Sequence, residues 1–129
     1  MASKDHLFEV IKIVQQHVDG SFVIETNGVI LGANPTFLDE TPAHVRYRIA
    51  LKADNPETFE KVTNANRTGL EYQLKGIQAL RDHKQSGRVA TMMPFADITK
   101  VKPHPAIATE TEELSKYAGT AARLKARGL

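Results

Sequence analysis

Near the start of the chain the apolar positions recur at helical spacing. Leu7, Val10, Ile11, Val14 and Val18 stand at i, i+3, i+4, i+7 and i+11, which predicts an amphipathic helix over residues 5–18 with Ser3 or Asp5 as its cap. A strand competes, because Val10, Ile11, Ile13 and Val14 are β-branched and Asp19-Gly20 could close a hairpin. Further on, Phe22 to Thr26 and Val29 to Leu31 flank Asn27-Gly28. Asn-Gly accepts the positive φ values of a type I′ turn, so this stretch reads as a β-hairpin. Asn34-Pro35 and Thr41-Pro42 discourage a continuous helix and mark residues 32–42 as a loop.

From His44 the period changes to two. Val45, Tyr47, Ile49 and Leu51 alternate with Arg46, Arg48, Ala50 and Lys52, the pattern of a half-buried strand with one apolar and one cationic face. Asp54-Asn55-Pro56-Glu57 reads as the start of a short helix capped by Asp54 and ending near Asn64. Residues 70–84 fit two templates: Leu70, Tyr72 and Leu74 alternate as in a strand, while Leu70, Leu74, Ile77 and Leu80 make a helical stripe, and Gly76 weakens both. After the turn Gln85-Ser86-Gly87, Arg88 to Met93 and Phe95 to Val101 read as two extended pieces split by Pro94, a residue suited to an edge or a bulge.

Beyond Pro103-His104-Pro105 the signals are helical again. Thr109 is a possible cap with Glu112 three residues on, Glu110, Glu112 and Glu113 would sit at the positive helix end, and Arg123, Lys125 and Arg127 at the negative end. The apolar seam would be Leu114, Tyr117, Ala118, Ala121 and Leu124, interrupted by Gly119. Such a helix is marginal alone and calls for something to dock on. The expected organisation is therefore a compact domain over residues 1–102 followed by a proline-led linker and helical interaction arm over 103–129. The expected fold class is α+β: a small antiparallel sheet with an N-terminal helix and a C-terminal helical arm.

Composition narrows the function classes. The 129 residues are 41% apolar and 25% charged, a globular balance. The absence of cysteine excludes disulfides, thiolate catalysis and cysteine-rich metal sites. The longest early apolar cluster, Leu7 to Val14, contains Glu9 and Lys12 and is too short for a membrane span or a signal peptide's core. No membrane association is expected, and a cytoplasmic or virion location follows as the expectation. The net charge of +2 hides a polarity: residues 1–40 sum to −4 and residues 41–129 to +6. Opposite-sign surfaces of this kind can mate between copies.

Candidate chemistry is sparse. His6, His17, His44, His83 and His104 show no metal-ligand spacing, no nucleophile elbow surrounds a serine, and the eight glycines form no phosphate cradle. No metal, no cofactor and no catalytic residue is assigned, although His44 with Arg46 and Arg48 would be the first candidates for an enzyme site. Two binding sets remain. A protein interface would use Leu114, Tyr117, Ala118, Ala121 and Leu124 of the arm together with Met92 and Met93, whose soft side chains precede Pro94. A nucleic-acid surface would use Arg46, Arg48 and Lys52 with Arg123, Lys125 and Arg127, though Tyr47 falls on the opposite strand face from these arginines. The leading expectation is a non-catalytic assembly subunit that associates with copies of itself or a larger protein assembly, in a format shared with virus and phage particle proteins. A small nucleic-acid-binding protein is the alternative, and an enzyme without a recognisable motif the third.

Overall fold

The computed structural model describes residues 4–97 and 108–129. In chain order these form α1 (Lys4–Gln15), β1 (Phe22–Thr26), α2 (Val29–Ala33), a 3-10 helix (Pro35–Glu40), β2 (Val45–Leu51), α3 (Pro56–Thr63), α4 (Thr68–Asp82), β3 (Gly87–Met93), β4 (Ala108–Glu113), a second 3-10 helix (Leu114–Lys116) and α5 (Thr120–Ala126). The strands make one four-stranded sheet in the order β1-β2-β3-β4, and every neighbouring pair is parallel. The expected antiparallel sheet, and with it the α+β class, is corrected: helices alternate with parallel strands, an α/β arrangement.

The reason lies at Asn27-Gly28. Gly28 does adopt the left-handed conformation, with φ of 78°, but the dipeptide opens a helix instead of a hairpin. Thr26 Oγ1 accepts the Gly28 N–H at 3.2 Å and Asn27 Oδ1 accepts the Val29 N–H at 3.0 Å, so side chains satisfy the first donors of α2. Val29 to Leu31 then turn helically, and the chain crosses back through residues 35–40 to lay β2 beside β1 in parallel, Phe22 opposite Val45 and Thr26 opposite Ile49.

The β2 alternation is realised as read. Val45, Tyr47, Ile49 and Leu51 are buried, facing a core shared with Ile11, Leu31, Phe37, Ile77 and Leu80 from the helical segments. The Tyr47 hydroxyl lies 2.9 Å from Thr41 Oγ1, and burial pushes its pKa up while that hydrogen bond opposes the shift. On α1 the inward line runs through Leu7, Phe8 and Ile11, with the Phe8 ring 5.4 Å from that of Phe37, whereas Val10 and Val18 of the expected stripe are exposed.

Asn55, not Asp54, caps α3, its side chain accepting the Thr58 N–H at 2.9 Å. Asp54 instead binds the turn after β3: its Oδ2 accepts the Asp97 N–H at 2.9 Å. Residues 70–82 resolve as helix, within α4. Because β4 pairs along the whole of β3, with Met93 opposite Glu113, β3 is an interior strand and Pro94 stands just past its end rather than on an edge. The second extended piece is not seen over Phe95–Asp97, where the Phe95 and Ala96 N–H groups close a turn on the Met92 carbonyl, and its remainder, like Pro103-His104-Pro105, lies outside the described residues.

The expected C-terminal helix is also corrected. Ala108-Thr-Glu-Thr-Glu-Glu113 alternates β-branched and charged side chains and adds to the sheet as β4. Only Thr120–Ala126 are α-helical, entered through Gly119 in the left-handed conformation with φ of 74°. The comparison with particle proteins rested on a detachable helical arm, and loses its basis once residues 108–113 of that segment are a strand of the sheet. Among the described residues no helix is long and apolar enough to cross a membrane.

Candidate functional site

The residues of α1, α2 and α4 that enter the core meet the sheet face of Val45, Tyr47, Ile49 and Leu51. The opposite face presents Arg46 and Arg48 of β2, flanked in register by Val23 and Glu25 of β1 and by Arg88 of β3. Parallel sheets are ordinarily covered on both faces. Here Val23 is 51% exposed, and beside it Arg46 is exposed and makes no ion pair with any described residue.

Arg48 is the centre of an ion network spanning the sheet. Its Nε bonds Glu110, its Nη2 lies 3.1 Å from Glu112 and its Nη1 3.3 Å from Glu25. Arg88 reaches the other oxygen of Glu110 at 3.1 Å, and the Tyr117 hydroxyl donates to Glu112 at 3.1 Å. The hydrogen bond from Arg48 holds the Glu110 carboxyl below its ordinary pKa of 4.5, partial burial pushes the other way, and Arg88 adds to the lowering. Glu110 in turn is the main cause that raises the Arg48 pKa, and the bond to Glu112 raises that of Tyr117.

The sign of the pH effect follows. A carboxyl whose folded pKa is depressed contributes stability above its unfolded value and loses that contribution as pH falls through the folded one. Acidification from neutral pH to about pH 3 should therefore destabilise wild type more than Glu110→Gln in urea titrations. Parallel stability curves for the two proteins would show that the network contributes nothing to folding.

The structure separates the residues grouped from the sequence. The Gln15 side-chain nitrogen of α1 lies 3.1 Å from His44 Nδ1, while Arg48 is held by carboxylates, so His44 and Arg48 have separate partners. Of the nucleic-acid set, Arg123 turns onto its own helix start, 3.0 Å from Thr120 Oγ1, and Arg127 donates to the Lys61 and Val62 carbonyls at 2.6 and 3.3 Å, neutralising the last turn of α3. Lys52 and Lys125 are exposed. The interface set is scattered as well. Leu114 lies in the 3-10 turn, Tyr117 is held at Glu112, and Ala118 and Ala121 are exposed with Leu124 half-buried. Met92 is half-buried beside Glu112, and Met93 is exposed at the end of β3. Among the described residues no group of three His, Asp or Glu is placed to hold a metal ion.

No family model, curated protein or solved structure matches this chain. Two features were missed in the sequence. Glu110 and Glu112 were placed at a helix start although their spacing of two also suits one face of a strand. Gln73 interrupts the helical stripe of Leu70, Ile77 and Leu80, and a polar residue on a buried line is the signal that could have found it.

Proposed function

We propose that this chain is a non-catalytic association module that pairs with a second copy of itself through the sheet face of Val23, Arg46 and Arg88, opposite the core that the described helices α1, α2 and α4 enter. The observation that supports this reading is Val23, half exposed on a parallel sheet beside Arg46, which has no ion pair with a described residue, where an apolar residue gains by being covered. The same face presents cations at Arg46 and Arg88 and an anion at Glu25, whose side chain is 69% exposed. A surface with both signs can be complementary to its own two-fold copy, which makes an isologous pair the natural occupant. A polyanion fits this face less well, since Glu25, Glu110 and Glu112 are interleaved with its arginines.

Sedimentation of the full chain over a concentration series tests the reading. Wild type should form a dimer, and Val23→Asp should weaken it by about 2 kcal/mol, roughly thirtyfold in Kd. A wild-type chain that stays monomeric, or a Val23→Asp dimer of unchanged affinity, would overturn the proposal. Steeply salt-dependent binding to a DNA duplex would replace it with the nucleic-acid reading. A truncation at Lys102 is not a clean test, because it removes β4 from the sheet.

A further inference from the structure

The segment from Ala108 to Leu129 is attached to the molecule from outside. None of its side chains among the described residues is buried or belongs to the core, whereas Val89, Ala90 and Thr91 of the neighbouring β3 are each 0% exposed. The first two strands are tied from within as well. Gln73 of α4, 1% exposed, donates from Nε2 to the Asn27 carbonyl at 2.7 Å and the Ala50 carbonyl at 3.2 Å, joining the ends of β1 and β2.

Polar contacts hold the C-terminal segment in place. β4 pairs with β3 from Arg88 opposite Ala108 to Met93 opposite Glu113, and the Thr91 hydroxyl donates to the Glu110 carbonyl at 3.3 Å. Arg48 binds Glu110 and Glu112, Arg88 binds Glu110, and Arg127 reaches the Lys61 and Val62 carbonyls. Ion pairs within reach of water contribute far less than buried apolar surface. Residues 108–129 therefore open at a cost well below that of unfolding the core, as a unit of their own.

Opening uncovers an edge of defined specificity. The vacated side of β3 presents unpaired backbone groups, flanked on one face by the guanidinium groups of Arg48 and Arg88. It fits an extended segment with carboxylates two positions apart, and Glu110-Thr111-Glu112 supplies them on one strand face. Every further copy of the chain carries that segment. Parallel neighbours are joined by a long crossover and not by a tight turn, here residues 94–107, so the fit of β4 to this edge does not depend on belonging to the same molecule. We infer that the β3 edge with Arg48 and Arg88 receives residues 108–129 of a second copy, two chains exchanging these segments reciprocally. A chain's own segment competes at an effective concentration of about a millimolar. Exchange is therefore a minor state of the wild type at micromolar concentration and stands apart from the pairing through Val23.

The test uses two full-length variants, both carrying Val23→Asp to remove pairing through the sheet face. One has Arg48→Glu with Arg88→Glu and the other Glu110→Lys with Glu112→Lys, so that each repels its own segment and accepts the other's. Sedimentation should find each variant monomeric alone and an equimolar mixture forming a one-to-one heterodimer. Hydrogen exchange at the β4 amides should be about tenfold faster than in wild type for each variant alone, and slow again in the mixture. A mixture that stays monomeric overturns the inference. Should either variant fail to fold, the chain carrying only Val23→Asp decides. It should dimerise at about millimolar concentration, and at micromolar concentration its β4 amides should exchange about tenfold faster than those of β2. A chain monomeric throughout, or β4 amides as protected as those of β2, overturns the inference equally.

Discussion

Alanine at Gly32 should destabilise the protein by about 3 kcal/mol or more, enough to leave much of it unfolded. A Cβ there would lie 1.8 Å from the Tyr72 carbonyl oxygen and 3.0 Å from the Gly76 amide nitrogen. Both are backbone atoms of α4, so no side-chain rotation relieves the clash, and α2 would have to move away from α4. Gly76 makes the reciprocal approach, its Cβ position 2.3 Å from the Gly28 carbonyl oxygen. The two helices thus meet backbone to backbone, and their separation would also disturb Gln73 and the strand ends it ties. Gly20→Ala is the control, since nothing lies within 4 Å of its Cβ position. Urea denaturation should show a large fall in midpoint for Gly32→Ala and little change for Gly20→Ala. A Gly32→Ala protein as stable as wild type would mean that α2 and α4 do not cross this closely.

Leu80→Ala should lower stability by about 3 kcal/mol, and Leu74→Ala by less than about 1 kcal/mol. Both leucines belong to the helical stripe legible in the sequence, but they have different surroundings. Leu80 is 0% exposed and packs under β3, one of its methyl carbons 3.0 Å from where a Cβ on Gly87 would sit. Truncation there leaves a void between helix and sheet that close-packed neighbours cannot fill. Leu74 is 41% exposed because the inward line of α4 runs through Leu70, Gln73, Ile77 and Leu80. Thermal unfolding of the two variants reads the rotation of α4 directly, and equal losses would place the helix in a different register.

The difference between what was legible and what was not follows the range of the forces involved. Periodicity located α1 and β2, because an element that buries one face writes its period into its own sequence, and the proline and capping signals at residues 54–57 located α3. Asn27-Gly28 was read for its correct local property, tolerance of a left-handed residue, and for the wrong element, because that conformation serves a hairpin and a helix start equally. The segment after residue 108 was misread more deeply. Glu110, Glu112 and Glu113 before a basic tail satisfy every rule of helix polarity, yet Glu110 and Glu112 are fixed by Arg48, some sixty positions earlier in the chain.

By itself the sequence determined the apolar and cationic faces of β2, the helix start at Pro56 and the absence of thiol chemistry, all of which depend on residue type and local spacing, whereas residues 70–84 stayed open between helix and strand. The tertiary structure decided that the strands run parallel, that residues 108–113 join the sheet, and that Gln73 ties the strand ends through the Asn27 and Ala50 carbonyls. The physical reason is that strand direction and ion pairing are settled between distant segments: the backbone approach of Gly32 to Gly76 and the carboxylates gathered around Arg48 lower the free energy only once the chain has folded back on itself.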